Sequence, residues 1–324
     1  MKIADMHSDT IYKLLKKRRE GATECLAKNS LHMDLEKMTQ ADYLLQNFSL
    51  FVEQGKSEDP YEEAKAEYKV FVEEMEKNKE FISQVLNYED IVKNQQDGKI
   101  SAMLTLEEGE VCLGEIEKLE EFYDCGARMV AMVWNYCNSL STSASKSIPV
   151  QPRKYFGSRL GLTETGIEFV ERMEELGMIP DVSHMSDEGI EDLLHITKKP
   201  FVASHSNARS LCGHQRNLTD EFLRRMGEKG CVIGANFYSK FLKKDAEYTK
   251  TAWIADHILH MVNVAGIESV GLGSDFDGIG CGLELKDCSH MQTLADVLKM
   301  RGMSEAQIER VFYKNVLRLY EELL

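Results

Sequence analysis

The chain has 324 residues, 43% of them hydrophobic and 29% charged, so it can bury the core of one large α/β barrel or of two ordinary domains. Its 39 lysines and arginines face 54 aspartates and glutamates, which gives a net charge of −15. Such an acidic surface repels nucleic acid and anionic membranes, so we expect a globular protein whose partners are small molecules.

The sequence lacks the hydrophobic segments of membrane or exported proteins. It has no run of about 18 or more apolar residues, and no basic region followed by a hydrophobic stretch at the N-terminus. We therefore expect a cytoplasmic protein without a transmembrane helix. The eight cysteines are scattered without a C-x-x-C pair, which favours reduced thiols over a disulfide framework or a zinc knuckle.

Eight short runs rich in β-forming residues, each ended by polar or glycine residues, predict strands. These runs are Ile3–Met6, Phe48–Val52, Ala102–Leu106, Met129–Trp134, Met178–Val182, Phe201–Ser204, Val232–Asn236 and Val270–Gly273. Amphipathic helical stretches, such as residues 62–86, 164–177 and 220–230, lie between most of them. The alternation predicts an α/β fold, a closed (β/α)8 TIM-like barrel, with residues 1–324 forming a single domain.

Capping residues mark several of the predicted helices. Thr163 and Gly177 are expected to begin and end one helix, and Ser186 to begin the next. Ser304 and Gln307 have the spacing of a capping box before the C-terminal helix.

Five of the eight predicted strands end in histidine or carboxylate residues. These are His7 and Asp9 after strand one, Glu107 and Glu108 after strand three, His184 after strand five, His205 after strand six, and Asp275 and Asp277 after strand eight. In (β/α)8 barrels catalytic groups lie at the C-terminal ends of the strands, because the loops there converge over the packed interior. His7 and Asp9 are two residues apart, so on an extended backbone both side chains point toward the barrel mouth.

Three histidines and at least two carboxylates exceed what one tetrahedral ion needs, and a carboxylate can bridge two ions. A two-metal site is therefore predicted, of the kind that holds a shared hydroxide and polarises a carbonyl during hydrolysis of an amide or ester. Imidazole with carboxylate suits Zn²⁺ best, and Mn²⁺, Fe²⁺ and Co²⁺ are compatible with the same ligand types.

Longer motifs resemble those of one known family. The segments are DMHSDT at 5–10, LEEGE at 106–110, GLTETGIEFVERMEELGMIPDVSHMSDE at 161–188, ASHSNARSLCGHQRNLTDE at 203–221, NFY at 236–238 and GSDFDG at 273–278. With them, over nearly its whole length, the chain resembles the renal or membrane dipeptidases, which are binuclear zinc peptidases with a barrel of the metallo-dependent hydrolase (amidohydrolase) type.

The resemblance implies two zinc ions, each with its own pair of ligands and with one glutamate bridging both: His7 with Asp9, His184 with His205, and Glu107 as the bridge. Glu107 is implied rather than Glu108 because it keeps the family's ungapped spacing to the FYDCGAR segment. The family usually has glycine after its bridging glutamate, where this chain has Glu108. Both carboxylates are therefore candidates for the bridge.

The resemblance also assigns residues to the substrate. It implies that Asp275 orients the bridging water and passes its proton to the leaving amine, and that Tyr238 contacts the substrate. Arg216 matches the residue that binds the free C-terminal carboxylate, a task that suits a planar guanidinium. Without the resemblance, Tyr238 would be interpreted as a core or rim tyrosine, and Arg216 as a surface residue paired with Asp220 or Glu221.

One departure from the family concerns the end of strand four. Animal members have a histidine there that helps to polarise the scissile carbonyl, and this chain has Trp134, which we therefore predict to contact the substrate. Tryptophan has one donor and does not titrate near neutral pH, so polarisation would depend more on zinc, and substrate preference is expected to differ. Asp277 is expected to be a structural hydrogen-bonding partner. The low-complexity segment SLSTSASKS at 139–147 predicts a mobile loop near the barrel mouth or a plain surface loop.

Three hypotheses of function follow. The leading one is a zinc-dependent dipeptidase that hydrolyses dipeptides with a free C-terminal carboxylate through a metal-bridging hydroxide. The second keeps the two metals but hydrolyses another small amide, such as a lactam, an N-acyl amino acid or a peptide containing a D-amino acid. The third is a catalytically silent, metal-binding barrel. The family resemblance also makes a homodimer reasonable.

Overall fold

The computed structural model of the chain describes residues 1–146 and 160–324. Eight parallel strands form a closed barrel: β1 (Ile3–Asp5), β2 (Tyr43–Phe51), β3 (Ile100–Glu107), β4 (Ala127–Ala131), β5 (Ile179–Asp181), β6 (Val202–Ser206), β7 (Val232–Ala235) and β8 (Val270–Leu272). Each strand pairs with the next, and pairing of Asp5 with Leu272 closes the ring. The eight predicted strands are all present in the predicted order, so the (β/α)8 barrel is confirmed.

Helices connect the strands and follow the last one. They are α1 (Thr10–Arg19), α2 (Leu35–Gln40), α3 (Pro60–Lys77), α4 (Tyr88–Gln96), α5 (Ile116–Asp124), α6 (Glu164–Leu176), α7 (Asp187–Ile196), α8 (Asp220–Glu228), α9 (Ser239–Leu242), α10 (Thr251–Ala265), α11 (Met291–Met300), α12 (Glu305–Glu309) and α13 (Asn315–Leu323). A short strand at Ile82–Gln84 pairs beside the start of β3, and Tyr248–Thr249 pairs with Gly282–Leu283 outside the barrel.

The predicted helix ends are confirmed. Thr163, Ser186 and Ser304 each accept a backbone N–H at the start of a helix, and Ser304 forms the expected reciprocal capping box with Gln307. Gly177 ends α6 with a φ of 77°, a left-handed conformation that glycine adopts without steric cost.

Most element ends differ from the sequence prediction by a few residues, and two differ by five or more. The helix predicted over residues 62–86 ends at Lys77, because residues 82–84 pair with β3 as a strand. Strand β2 begins at Tyr43 rather than Phe48, since it includes the buried polar residues Gln46 and Asn47. The side-chain amide of Asn47 donates to the hydroxyl of Tyr320 at 2.8 Å, so a distant residue supplies the acceptor for this buried donor.

The segment SLSTSASK, residues 139–146, is mainly buried, so the prediction of a mobile surface loop is wrong for residues 139–144. The backbone N–H of Ser139 donates to Glu110 Oε2 at 2.8 Å, and the hydroxyls of Thr142 and Ser186 are 2.7 Å apart. Partners from distant parts of the chain thus satisfy several polar groups of this segment, which lowers the usual cost of burying them. Residue 147, the last of the predicted loop, lies outside the described residues.

The barrel interior is packed with apolar side chains, among them Met6, Leu45, Met103 and Met129, together with Tyr320 of α13. The interior is therefore a core rather than a pore, and the polar strand ends form the floor of the accessible site. All eight cysteines are free thiols, as expected. Among the described residues, no helix combines the length and the apolar character needed to cross a membrane.

Candidate active site

The barrel brings the predicted metal ligands together at one end. His7 and Asp9 follow β1, Glu107 is the last residue of β3, His184 follows β5, and His205 lies in β6. All five are nearly inaccessible to solvent. They converge because the C-terminal ends of parallel barrel strands open at the same side.

Glu107 lies at the centre of this group. Its Oε2 is 3.1 Å from His7 Nε2, and its Oε1 is 3.0 Å from His184 Nε2 and 3.6 Å from His205 Nε2. The two oxygens of one carboxylate therefore face different histidines, Oε2 facing His7, and Oε1 facing His184 and His205. Asp9 Oδ1 lies 3.8 Å from His7 Nε2, on the same side as Glu107 Oε2.

Glu108, the alternative candidate, points elsewhere. It adopts a φ of 120°, and its carboxylate accepts the backbone N–H groups of Glu110 at 3.0 Å and Trp134 at 3.2 Å. The side-chain amide of Asn138 donates to it at 2.5 Å. The side chain of Glu108 thus anchors the segments that follow β3 and β4, and of the two glutamates Glu107 is the one beside the histidines.

Several atoms of the cluster fit a divalent cation. Among the described residues, buried Asp9 Oδ1 has no hydrogen-bond partner, and His7 Nε2 and Glu107 Oε2, 3.1 Å apart, form no well-directed hydrogen bond, although buried polar atoms normally have one. The Nε2 atoms of His184 and His205 are 2.9 Å apart, where two imidazole lone pairs repel each other unless a proton or a cation lies close to both. Imidazole nitrogens and carboxylate oxygens are the ligands that Zn²⁺ and similar ions prefer.

Burial and mutual charge perturb the protonation of this cluster strongly. Burial opposes a charge on His7, but the carboxylates of Glu107, Asp9 and Asp275 outweigh it and raise the pKa of His7 to about 10. Burial and the neighbouring charge of Arg216 lower the pKa of His184 to about 3. In the absence of metal, the site therefore tends to hold a proton on His7 and keep His184 neutral.

Asp275 lies beside the same cluster, just after β8. One of its oxygens lies within 4.8 Å of ligand atoms of His7 and Asp9, and its Oδ2 accepts a hydrogen bond of 2.9 Å from the amide of Asn236. Its φ of 61° places it in the left-handed region. Burial, opposed by the charge of His7 and reinforced by that of Glu107, raises the pKa of Asp275 to about 6.

Asp277, two residues further along, has a structural role, since its carboxylate binds groups outside the metal cluster. Its oxygens accept hydrogen bonds from the backbone N–H of His32 at 2.7 Å and from the hydroxyl of Thr10 at 2.8 Å. These contacts connect the end of β8 to the start of α1 and to the loop after it.

A cavity of about 330 Å³ opens above the cluster. One wall is aromatic: the ring centroids of Tyr12 and Phe51 are 5.1 Å apart, and those of Phe51 and Trp134 are 4.9 Å apart. The opposite side carries Tyr238 and Phe241, whose rings meet edge to face at 4.9 Å. Trp134 and Tyr238, both predicted to contact the substrate, thus line this cavity.

Arg216 also lines the cavity, and it is 5% exposed. The interpretation as a surface arginine is excluded, because Asp220 is paired with His260 and Glu221 with Arg224. All three guanidinium nitrogens of Arg216 are buried, and none has a hydrogen-bond partner in the part of the chain that the structure describes. An arginine in this state offers paired donors to an anionic group that enters the cavity.

Sequence reasoning missed Asn135, which lines the cavity next to Trp134. Its Oδ1 lies 3.1 Å from His184 Nδ1, so it orients the ring whose Nε2 faces Glu107. Its position after a strand could have indicated a role in the site, since Asn135 follows β4 much as His184 follows β5. Tyr12 and Phe51 could be placed in the wall only once the barrel was assembled.

Comparisons with known proteins show which family the chain is similar to. The family model described as membrane dipeptidase, peptidase family M19, matches residues 1–323. The uncharacterized dipeptidase C965.12 of Schizosaccharomyces pombe is 33% identical over 339 residues, covering 99% of this chain and 80% of that protein. Dipeptidase tcpJ of Claviceps purpurea is 27% identical, covering 90% of this chain and 69% of that protein.

A solved structure extends the comparison to the fold. A metallo peptidase from Rhodobacter sphaeroides, liganded with a phosphinate mimic of the dipeptide L-Ala-D-Ala, superposes with a TM-score of 0.90 at 23% identity, covering 100% of this chain and 99% of that one. The family match spans almost the whole chain and includes every strand of the barrel. The chain therefore belongs to the membrane dipeptidase family, peptidase family M19, and is a metal-dependent dipeptidase built on a (β/α)8 barrel.

Proposed function

We propose that this chain is a zinc-dependent dipeptidase specific for dipeptides with a free C-terminal carboxylate. The observation that carries the proposal is Arg216, whose three unpartnered guanidinium nitrogens share one small cavity with Glu107 and His184. A buried cation beside a candidate metal cluster recognises a substrate that places an anionic group a short distance from the bond to be cleaved. A dipeptide has its carboxylate one residue beyond that bond.

Two Zn²⁺ ions would be held by this chain's own ligands. His7 and Asp9 would hold one ion, His184 and His205 the other, and Glu107 would contribute one oxygen to each. The orientation of the two Glu107 oxygens toward different histidines supports this assignment. When bound, the ions would activate water and polarise the scissile carbonyl.

Asp275 would move the proton that hydrolysis requires. Its carboxylate lies close to His7 and Asp9, where it can accept a proton from the attacking water and deliver it to the departing amine. The hydrogen bond from Asn236 holds one carboxylate oxygen and leaves the other to exchange the proton. Arg216 would meanwhile keep the substrate carboxylate fixed, so that the peptide bond stays in reach of the attacking water.

The walls of the cavity would select for short substrates. Its volume of about 330 Å³ is at the lower end of the range for small-molecule sites, which suits a dipeptide. Tyr12, Phe51 and Trp134 would contact an apolar side chain of the substrate, and Tyr238 would contact the end nearer Arg216. Because Trp134 replaces the histidine expected from the family, carbonyl polarisation would depend on the metal ions rather than on this residue.

The test is amine release from a panel of L,L and L,D dipeptides by the purified protein, after zinc loading and again after chelation. L-Ala-D-Ala belongs in the panel because the Rhodobacter sphaeroides enzyme was solved with its phosphinate mimic. We expect chelator-sensitive cleavage of free dipeptides, while their C-terminally amidated analogues are spared. Equal cleavage of both forms, or no cleavage by the zinc-loaded protein, would contradict the proposal.

A further inference from the structure

Behind His205, on the side away from Glu107, lies a buried carboxylate that the proposed mechanism does not use. Asp181 ends β5 and is 2% exposed. Its Oδ1 accepts the backbone N–H groups of Ser183 and Ser204, both at 2.9 Å, and the hydroxyl of Ser183 at 2.6 Å. Its Oδ2 accepts the hydroxyl of Ser204. A buried carboxylate with four donors is fully satisfied without a metal ion.

The hydroxyl of Ser204 connects this carboxylate to the ring of His205, whose Nδ1 lies 2.7 Å from Ser204 Oγ. A serine hydroxyl has one proton, and here the carboxylate of Asp181 can only accept it. Ser204 Oγ must then accept from His205, so the imidazole proton lies on Nδ1. The opposite nitrogen, Nε2, is left with a free lone pair.

That lone pair faces the candidate metal cluster. His205 Nε2 is 3.6 Å from Glu107 Oε1 and 2.9 Å from His184 Nε2. We propose that Asp181, acting through Ser204, is a positioning residue that holds His205 in the Nδ1-protonated tautomer and keeps Nε2 available to a metal ion. The inference rests on the proposed role of His205 as a metal ligand.

The backbone around Ser204 is closely packed. A Cβ atom at Gly234 would lie 2.0 Å from the carbonyl oxygen of Ser204, and one at Gly273 would lie 1.7 Å from it. Strand β7 and the end of β8 therefore approach the Ser204 backbone at a distance that only glycine allows. The Ser204 hydroxyl itself is held between Asp181 and His205 by its own two hydrogen bonds, which is the arrangement that fixes a tautomer.

The tautomer can be measured directly in the wild-type protein. Nitrogen-15 spectra of histidine-labelled, metal-free protein distinguish a proton on Nδ1 from one on Nε2, and a His205→Gln variant identifies the signal. We expect His205 to be protonated on Nδ1 before zinc is added and to remain so afterwards. A proton on Nε2 in the metal-free protein would overturn the proposal.

A matched pair of variants tests the effect on metal binding. Ser204→Ala and Ser183→Ala each remove one buried hydroxyl that donates to Asp181, but only Ser204 contacts the ring of His205. We expect Ser204→Ala to bind zinc about 10- to 100-fold more weakly than wild type, and Ser183→Ala to lose clearly less. Zinc affinity is measured by competition with a chelator, and the thermal midpoint of the metal-free proteins shows whether both remain folded.

Equal losses of zinc affinity in the two serine variants would mean that Asp181 and its hydroxyl donors act only on the fold. Unchanged zinc affinity in Ser204→Ala would overturn the proposed positioning role of Asp181 and Ser204. Asp181→Asn should also weaken zinc binding, as Ser204→Ala does. The asparagine amide can donate a hydrogen bond to Ser204 Oγ, whereas the carboxylate of Asp181 can only accept one from it. If Asp181→Asn does not fold, the proposal is tested by the Ser204→Ala and Ser183→Ala variants and by the nitrogen-15 spectra of the wild type. Failure of the dipeptidase proposal would appear in the substrate panel and leave the measured tautomer unchanged.

Discussion

Replacing Arg216 with methionine is expected to abolish the discrimination between dipeptides with free and with amidated C-termini. Methionine has similar length and no charge, so it keeps much of the packing against Phe241, which lies 5.3 Å from the guanidinium carbon of Arg216. Burial lowers the pKa of Arg216 to about 10, so the side chain is cationic at neutral pH in the wild type. The substitution therefore removes one buried positive charge and its donors.

The size of the effect follows from the burial of Arg216. A hydrogen bond to a charged group contributes about 1.5–3 kcal/mol, so a two-point contact with a carboxylate would contribute about 3–6 kcal/mol. Removing one partner of a buried charge pair costs about 3–5 kcal/mol. At about 1.4 kcal/mol per factor of ten, kcat/KM for a free dipeptide should fall by about 10²- to 10⁴-fold.

The assay compares kcat/KM for one dipeptide and its C-terminal amide in the wild type and in Arg216→Met. In the wild type, kcat/KM should be about 10²- to 10⁴-fold higher for the free dipeptide than for its amide. In Arg216→Met the two values of kcat/KM should be almost equal. Arg224→Met is the matched control, because Arg224 is an exposed arginine paired with Glu221 on α8, and its kinetics should not change. The reasoning is refuted if Arg216→Met still prefers the free acid as strongly as the wild type, or if both substrates lose activity equally.

Three further predictions concern the acid, the metal and pH. Asp275→Asn should lower kcat by about 10²- to 10⁴-fold while the zinc content measured by mass spectrometry is unchanged, because asparagine tolerates the left-handed backbone at this position but cannot carry the proton. Removing zinc should lower the unfolding free energy by about 4 kcal/mol for each bound ion, relative to protein in zinc at a thousand times Kd, measured by denaturant titration. His257 is buried with its pKa lowered from 6.5 to about 4, since burial disfavours its charge. Its contribution to stability is therefore present above pH 6.5 and is lost as the pH falls toward 4, which costs about 2 kcal/mol by pH 5.

Each of these has an outcome that contradicts it. Unchanged turnover in Asp275→Asn would remove its role as proton carrier, and loss of zinc would show that it acts as a ligand instead. Equal unfolding free energies with and without zinc would argue against a metal cluster at the buried ligands. His257→Asn keeps an acceptor for the backbone N–H of Ala208, which now donates to His257 Nδ1 at 3.1 Å. This variant should lose less stability than wild type between pH 8 and pH 5, and an equal loss would show that other groups dominate.

Much of the barrel could be predicted from local patterns. Runs of buried β-forming residues mark the strands, because parallel barrel strands are covered on both faces and so are apolar along most of their length. The caps at Thr163 and Ser304 were equally visible, since a helix start needs a side-chain acceptor within three residues. The polar strand ends marked the site, because a barrel gathers them at one opening.

Local patterns failed where polar residues are buried. Gln46 and Asn47 interrupt the apolar run of β2, so the sequence indicates a later start for a strand that begins at Tyr43. The serines and threonine of residues 139–144 have the composition of a surface loop, yet they are buried against residues from other parts of the chain. The hydrogen-bond partners of Asn47, Ser139 and Thr142 are distant in sequence, and no local pattern reveals them.

The sequence by itself determined the alternation of strands and helices, the residue types at the strand ends and, through the long motifs, the family. Only the tertiary structure decided that Glu107 rather than Glu108 faces the histidines, that Arg216 is buried without a partner, and that Asp181 reaches His205 through Ser204. The physical reason is that spacing along a strand sets the side of the backbone on which a side chain lies. The atom it meets there is set by the packing of other strands, whose residues are remote in the chain.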